Sequence, residues 1–309
     1  MTSRHTTAQQ ILGWAAIALS TLLACFWAFW GINENFHEGW FSPSLLRNLA
    51  LMVVQYLSPM LIVMLISVAA LRWPTFAFLF IGTVAVALAW FLRRNYAALG
   101  LILLPLLVLA ALYQFGRPQP QRWAWRVLIG PPLITLVACG AWPAWMAFHR
   151  FDDGNYGTRT IVGNGVILVW APEGRGWPSF GVSWYQANHS CAFLAADGLS
   201  LADRPQHIWR LPTTDEVVRS LVFRGANAGG VWDAGPHRAH YRVAPEKDSP
   251  LWKVHAPVIY WWTASESGPL ADYVSYNGFI QTVPKRMRPG SLAFRCVRDP
   301  HPESVPAAP

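Results

Sequence analysis

Acidic residues are almost missing from the first half of the chain. Of 16 Asp and Glu residues, only Glu34 and Glu38 precede residue 150, which leaves 16 − 2 = 14 for the remainder. Eight of the 24 Lys and Arg residues precede residue 150, so the first half carries 8 − 2 = +6 and the second 16 − 14 = +2. The basic residues form no Lys/Arg-rich run, and short arginine groups separate apolar stretches instead, as in membrane loops. We therefore expect no nucleic-acid partner.

A cleavable signal peptide is also lacking. Arg4 precedes an apolar run, but this run is about as long as a bilayer span and has no convincing small-residue cleavage site. The pattern predicts a signal anchor that is retained.

Long apolar runs, by contrast, fill the first half. A bilayer span takes about 20 residues, and the runs of that order are 11–32, 49–71, 75–92, 96–115 and 127–148. They predict an α-helical transmembrane bundle of about five spans over residues 1–149, in contact with the lipid bilayer. Only Arg93-Arg94-Asn95 separates the third and fourth runs, so four spans are the alternative. Prolines inside the runs, Pro59 among them, are expected to kink the helices.

Charged residues are absent from the deep parts of these runs. Intramembrane charges usually mark ion paths and proton relays, so a packed anchor bundle is the simplest interpretation. With a cytoplasmic N-terminus, five arginines lie on the cytoplasmic side and four on the other. This small bias predicts a multi-pass protein of the cell (inner) membrane with its C-terminal half outside the cytoplasm.

One loop of the first half carries possible metal ligands. Glu34, His37 and Glu38 have i, i+3, i+4 spacing, and three such ligands on one helix face could hold a divalent metal. No second ligand cluster accompanies them. A solvated turn that ends the first span, aided by Gly39 and Trp40, is the alternative that we favour, and we expect no metal or cofactor.

The second half has the pattern of a small α+β domain after a polar linker, 150–160. Ser183 and Thr213 can each cap a helix, and Glu216 completes a capping box with Thr213. Asn277-Gly278 is a hairpin turn signal between two alternating runs. The predicted helices are 184–194 and 214–224, and the predicted strands are 161–170 (after a turn), 258–265, 272–276, 279–283 and 292–298. A Pro-rich tail, 300–309, is predicted to be disordered.

Four segments of this domain, in order, resemble a known family. They are Trp184 to Cys191, Trp209 to Thr213, Tyr260 to Ser265, and Gly290 to Arg298. Over about residues 160–299 the chain resembles the sulfatase-modifying-factor branch of the C-type-lectin-like fold, and within it the non-enzymatic Lcl C-terminal-type domain of bacterial surface proteins. The membrane half resembles no family. The residues of the fold signature are Trp184, Trp209, Arg210, Leu211, Pro212, Thr213, Glu216, Trp261, Trp262, Phe294 and Arg295.

The resemblance implies a disulfide between Cys191 and Cys296, which needs an oxidising compartment and so favours an extracytoplasmic domain. Two unrelated buried thiols are the alternative. The formylglycine-generating enzymes of this superfamily use a reactive, copper-binding cysteine pair before the last strand, but Phe279 to Arg295 contains no cysteine. Oxidase activity of that type is therefore not expected. We interpret Arg210 as a structural residue that pairs with a carboxylate inside the fold, and Glu216 and Glu266 are the candidates.

These observations favour a non-catalytic module that binds a ligand, glycan or partner protein. In such a fold we expect the ligand surface in the irregular stretches 225–256 and 284–291. The candidate residues are Trp232, His237, His240, Trp252, Lys285, Arg286 and Arg288. The three basic residues could meet an anionic ligand, although a solvated turn is the alternative. Two other hypotheses are a membrane-face enzyme that uses the Glu34/His37/Glu38 loop or the loop histidines, and a structural subunit of a membrane complex.

Overall fold

The computed structural model of the protein describes residues 6–91, 93 and 96–300, and it divides into two compact units. The first unit extends to Trp40 and continues over Ser44–Trp145. The second contains Phe41–Pro43 and the chain from Met146 onward. Except for Pro300, the predicted disordered tail lies outside the described residues.

The first unit is helical. Thr6 caps its first helix through a capping box with Gln9. The helices are α1 (Thr7–His37), α2 (Leu45–Leu51), a π-helical turn (Met52–Tyr56), α3 (Ser58–Arg72), α4 (Pro74–Phe91), α5 (Tyr96–Phe115) and α6 (Gln121–Phe148).

Small residues on one face of α1 set the packing of this unit. The residues of this face recur every three or four positions, and all of them are buried: Gly13, Ala16, Ser20, Ala24, Ala28 and Gly31. Small side chains let helix backbones approach closely inside a membrane. At Gly31 a Cβ atom would lie 2.3 Å from the Tyr56 carbonyl oxygen, so no larger residue fits there. The buried Ser20 hydroxyl and Tyr113 hydroxyl are hydrogen-bonded at 2.8 Å, which links α1 to α5.

Three helices of the described region, α1, α4 and α6, are long and apolar enough to cross a membrane. A fourth candidate is the pair Leu45–Tyr56 and Ser58–Arg72, which is bent by 60° at a short break. The break is at Leu57, two residues before Pro59, at which the sequence predicts a kink. The fourth predicted run, 96–115, is helical as α5, and its apolar stretch Leu103–Phe115 is not among the candidate spans. The structure thus supports three or four spans, and the count of five is not confirmed.

The second unit is α+β, as predicted. Its helices are α7 (Trp184–Phe193) and α8 (Thr214–Ser220). One sheet has the order β1 (Arg159–Val162), β2 (Ile167–Trp170), β11 (Val297–Arg298). A second has the order β10 (Leu292–Ala293), β7 (Tyr260–Ser267), β8 (Leu270–Ser275), β9 (Ile280–Pro284), with β10 parallel to β7. Two ribbons complete it: β3 (Val222–Phe223) with β4 (Ala226–Asn227), and β5 (Val231–Asp233) with β6 (Arg238–His240).

Several boundaries differ from the sequence predictions. Helix α8 ends at Ser220 rather than at residue 224, because β3 begins at Val222. The last predicted strand is divided into β10 and β11, since the segment between them changes sheets. The stretch 225–256 contains strands β4 to β6. The β8–β9 hairpin turns at Asn277-Gly278 as predicted, with Gly278 at φ +83°, a conformation that favours glycine.

Tryptophans fill the core between the two sheets. The ring of Trp261 on β7 stacks on that of Trp252 with centroids 3.9 Å apart, and it also contacts the rings of Trp170 and Trp177. Cys191 on α7 and Cys296, beside β11, form a disulfide, which confirms the predicted pair. The disulfide joins segments 105 residues apart and so closes most of the domain into one loop.

Candidate functional site

An open groove of about 810 Å³ lies on the second unit. Its walls come from the Gly/Pro-rich loop 173–182, the outer face of α7, and the loop that follows α7. The aromatic and aliphatic lining residues are Trp177, Phe180, Val182, Tyr185, Leu199, Leu201 and Phe294. The polar lining residues are Glu173, Arg175, Ser179, Gln186, His189 and Ser190. Apolar walls with a few polar groups are typical of a ligand site.

Helix α7 is fixed at its start, so its outer face is held in place. Ser183 accepts a hydrogen bond from the Gln186 N–H and closes a capping box with the Gln186 side chain. The Trp184 indole N–H donates to the Thr263 carbonyl at 2.8 Å. With this anchor buried, Tyr185 and His189 lie on the opposite, exposed face. The Tyr185 side chain is 57% exposed.

A tight turn holds the third wall of the groove. The carboxylate of Asp197 accepts hydrogen bonds from the Leu199 N–H at 2.9 Å and the Ser200 N–H at 3.2 Å. These N–H donors lower the pKa of Asp197. Gly198 has φ +74°, and a Cβ atom there would lie 2.6 Å from Pro172 Cδ. Only glycine fits this position. The Leu199 side chain, which follows it in the turn, is exposed and lines the groove.

One arginine, Arg175, lines the groove. Glu173 is neutralised by an ion pair with Lys253, whereas Arg175 forms no ion pair with any residue that the structure describes. A Cβ atom at Gly181 would lie 1.7 Å from the Pro289 carbonyl oxygen. This close approach joins the groove wall to the turn that carries the exposed Arg286 and Arg288, which are not among the lining residues. An anionic group on a ligand would be attracted to Arg175.

Two of the predicted ligand-surface residues are in the core, which corrects their assignment. Trp252 is 1% exposed and stacks on Trp261, so it contributes to stability rather than to binding. Lys285 is buried; its ammonium group pairs with Glu266 and lies 4.5 Å from the Trp184 ring centroid. Arg286 and Arg288 are exposed, as expected of a surface turn.

The remaining predicted residues belong to the β5–β6 ribbon, away from the groove lining. Trp232 packs edge-on against the His237 ring, with centroids 4.9 Å apart. His237 Nε2 lies 3.2 Å from Thr282 Oγ1 and 3.5 Å from Asp272 Oδ1. Since the same ring nitrogen faces both groups, the imidazole does not bridge them as the base of a catalytic triad does. His240 is exposed on the same ribbon.

The residues quoted for the family resemblance lie in the interior of the second unit or form hydrogen bonds that join its segments. The Arg210 guanidinium donates to both carboxylate oxygens of Glu216, each at 2.7 Å. This result selects Glu216 over Glu266. The indole N–H of Trp209 donates to the Ala195 carbonyl at 2.9 Å, and the indole N–H of Trp262 donates to the Val182 carbonyl at 2.8 Å. Leu211 and Phe294 are buried in the same cluster as Trp209 and Trp262, and Trp261 is buried in the second cluster of this unit.

The acidic loop of the first half does not assemble a metal site. Glu34 and His37 lie in the last turns of α1, and Glu38 is its C-cap residue. Within the described chain, no three His, Cys, Asp or Glu side chains are placed to hold a metal ion. The spacing of these three residues along the helix is therefore not sufficient for such a site.

The groove itself was not predicted from sequence. Its α7 wall has a signal: Tyr185, Gln186 and His189 occupy the helix face opposite the buried Trp184, Ala187 and Cys191. Its other walls have no local signal, because the turn before Leu199 and the chain around Phe180 meet only in the folded domain.

Comparisons of the chain with family models, with curated proteins and with solved structures find no match.

Proposed function

We propose that the protein is a membrane-anchored binding protein whose C-terminal unit takes up a glycan in the groove beside α7. The groove carries this proposal. In it, exposed aromatic rings, Phe180 and Tyr185, stand next to hydrogen-bonding side chains such as Gln186 and His189. A sugar ring presents both an apolar C–H face and polar hydroxyl groups, so it can stack on the rings and bond to their polar neighbours.

Arg175 in the groove lining narrows the proposed ligand class to a glycan with acidic groups. Its side chain is exposed, and guanidinium groups bind carboxylate or sulfate oxygens in a fork geometry. The open shape of the groove suits a segment of a chain rather than an enclosed small molecule.

We further propose that this unit is a C-type-lectin-like domain outside the cytoplasm, and that the N-terminus of this inner-membrane protein is cytoplasmic. The Cys191–Cys296 disulfide between α7 and the last strands supports the extracytoplasmic location, because disulfides persist in oxidising compartments. With three spans, an extracytoplasmic C-terminal unit requires a cytoplasmic N-terminus. A Ser200→Cys variant in a Cys25→Ala/Cys139→Ala background tests the topology. We expect an impermeant maleimide to label it in cells whose inner membrane is intact; labelling only after lysis would contradict this orientation.

Binding is tested with the full chain in detergent on an array of neutral and acidic glycans. We expect binding to acidic glycans, with at least a tenfold loss in Tyr185→Ala and Phe180→Ala. Phe279→Ala is the matched control, since Phe279 is 59% exposed against 65% for Phe180 but lies outside the groove. Arg175→Gln should weaken acidic glycans more than neutral ones. Equal losses in the control, or no retained glycan, would overturn the proposal.

A further inference from the structure

One end of the helical first unit gathers basic residues from several helices. The Arg117 backbone N–H donates to the Gln9 carbonyl at 2.7 Å, so the loop between α5 and α6 lies beside the start of α1. The Gln121 side-chain amide donates to the Leu71 carbonyl at 3.2 Å, so the start of α6 lies against the end of α3. The arginines brought to this end are Arg72, Arg117, Arg122 and Arg126.

No acidic residue of the first unit balances these arginines. Its glutamates, Glu34 and Glu38, lie at the other end of α1, a helix of 31 residues that is roughly 46 Å long. The Arg117 guanidinium donates to backbone carbonyls at the end of α5. Arg72 and Arg122 are exposed, and neither side chain forms an ion pair or hydrogen bond with a residue that the structure describes. Their charges are therefore available to a ligand.

Exposed tryptophans stand next to both of these arginines in the chain. Trp73 follows Arg72 and is 60% exposed, and Trp123 follows Arg122 and is 47% exposed. Tryptophan concentrates at the boundary between the hydrocarbon of a membrane and the water. Arginines beside such tryptophans lie at the level of the phospholipid headgroups.

An apolar cleft opens beside Arg72, between α3 and α4. Its volume is about 180 Å³. The residues that line it are Leu65, Ile66, Ala69, Phe76, Ala77 and Phe80. Leu65, Ala69 and Arg72 have i, i+4, i+7 spacing and share one face of α3, so Arg72 lies at the end of the cleft. A helical side chain leans over the turn before its own Cα atom, which places the stem of Arg72 next to Ala69.

We propose that this end of the first unit binds an anionic phospholipid, with an acyl chain in the cleft and the phosphate on Arg72 and Arg122. The walls of the cleft are entirely apolar, which matches a hydrocarbon chain. Guanidinium groups bind phosphate oxygens in a fork geometry, and basic pockets between membrane helices bind anionic headgroups.

The charges of this end favour a headgroup with a net negative charge over a zwitterionic one. A zwitterionic headgroup carries an amine beside its phosphate, and the first unit offers no carboxylate at this end to pair with the amine. Two unpaired arginines would instead repel it. The site is independent of the groove on the second unit, so it adds lipid binding to the proposed function.

Native mass spectrometry of the full chain in detergent tests this site, with phosphatidylglycerol and phosphatidylethanolamine of identical acyl chains. We expect tighter binding of phosphatidylglycerol, and a loss of about fivefold in its affinity in Arg72→Gln, the attraction that one arginine contributes near a membrane surface. Phosphatidylethanolamine should change less in this variant. Arg47→Gln is the matched control, because it removes the same charge from an exposed position in α2, beyond the other end of α1. It should bind phosphatidylglycerol as the unchanged protein does.

A second pair of variants tests the place of the acyl chain. Ala69→Phe fills the cleft and should weaken both lipids by about fivefold or more, because the chain loses its contacts with the cleft walls. Ala87→Phe is the control, since Ala87 is exposed on α4 and does not line the cleft. Unchanged binding in Ala69→Phe would overturn the assignment of the chain to the cleft.

The headgroup test is decisive even where Ala69→Phe does not fold, because Arg72 is exposed and its replacement leaves the packing of α3 in place. Equal binding of the two lipids by the unchanged protein, or an equal loss in Arg47→Gln, would overturn the proposal. Displacement of phosphatidylglycerol by excess inorganic phosphate would show that the arginines take a free anion rather than a lipid. Loss of lipid binding with intact glycan binding would leave the groove proposal unaffected.

Discussion

The Arg295 guanidinium carbon lies 3.6 Å from the centroid of the Trp177 ring. Arg295 is fully buried, and its N–H groups donate to the carbonyls of Ala171, Pro250 and Leu251 at 2.8–2.9 Å. Burial lowers the pKa of Arg295, but a guanidinium starts from so high a value that it stays charged. A buried cation therefore holds three chain segments together and supports one wall of the groove.

Arg295→Lys should destabilise the second unit by about 2–4 kcal/mol, because an ammonium keeps the charge but not the planar fork or the stacking. Arg175→Lys, an exposed position on the same groove, is the control and should change stability by less than about 0.5 kcal/mol. Urea unfolding of the full chain followed by tryptophan fluorescence measures both. Equal midpoints for the two variants would show that Arg295 is not a structural cation.

Local signals in the sequence predicted local structure well. The predicted caps at Ser183 and Thr213 are present, and Glu216 completes the predicted capping box with Thr213, since a cap depends on residues within one turn. The Asn277-Gly278 turn is equally local. The number of spans was not predicted as well, because the hydropathy of a run does not show the 60° bend between its two helical parts before α3.

Non-local packing accounts for what the sequence did not predict. The stretch 225–256 is rich in Gly, Pro and charge, which is typical of a surface loop, yet Trp252 stacks on Trp261 of a strand that follows it. The groove brings Phe180 and Leu199 together through a close approach at Gly181 and a turn at Gly198. No periodicity in the sequence encodes such contacts.

Removing the disulfide by Cys191→Ala/Cys296→Ala should lower the free energy of unfolding of the second unit by about 2–5 kcal/mol, because the bond closes a loop of 105 residues. Cys25→Ala/Cys139→Ala is the control, since both thiols are free and lie in the first unit. Urea midpoints with and without reductant measure the effect. A reductant that leaves the midpoint of the unchanged protein in place would contradict the prediction.

Glu216→Gln should lower the free energy of unfolding of the second unit by about 1 kcal/mol at pH 7. Burial alone would raise the pKa of Glu216, but hydrogen bonds from Arg210 and Thr213 lower it overall. The Arg210 side chain is 41% exposed, so solvent screening limits the value of the pair. The contribution of the ionised Glu216 to the free energy of unfolding is complete above pH 4.5, the ordinary pKa of a glutamate. It is lost as the pH falls through the lower pKa that Glu216 has in the folded protein.

Urea midpoints at pH 3, 4, 5 and 7 test this effect. The variant should show a smaller loss of stability on acidification than the unchanged protein. Asp215→Asn is the control, because Asp215 forms only a partly exposed i, i+4 pair with Arg219 worth about 0.3–0.5 kcal/mol. A larger effect in this control would refute the ranking of the two pairs.

Lys247→Met should remove an alkaline rise in stability. The Lys247 side chain is buried and donates to the Ala256 carbonyl. Burial is the main cause that lowers the pKa of Lys247 well below 10.5, and the nearby positive charge of Arg150 lowers it further. The negative charge of Glu246 raises this pKa but does not offset the other two effects. Between the lowered pKa and 10.5, the unfolded chain holds a proton that the folded protein has released. The free energy of unfolding therefore rises with pH across this range, by up to about 1.4 kcal/mol per pH unit.

Urea midpoints from pH 6 to 9.5 should show this rise in the unchanged protein and a flat profile in Lys247→Met. The upper limit keeps the measurement below the ordinary titration of tyrosine. Lys253→Met is the matched control, since the ammonium of Lys253 pairs with Glu173 near the surface, and it should keep the rise. A rise that persists in Lys247→Met would assign the alkaline titration to another group and show that the buried amine is not its source.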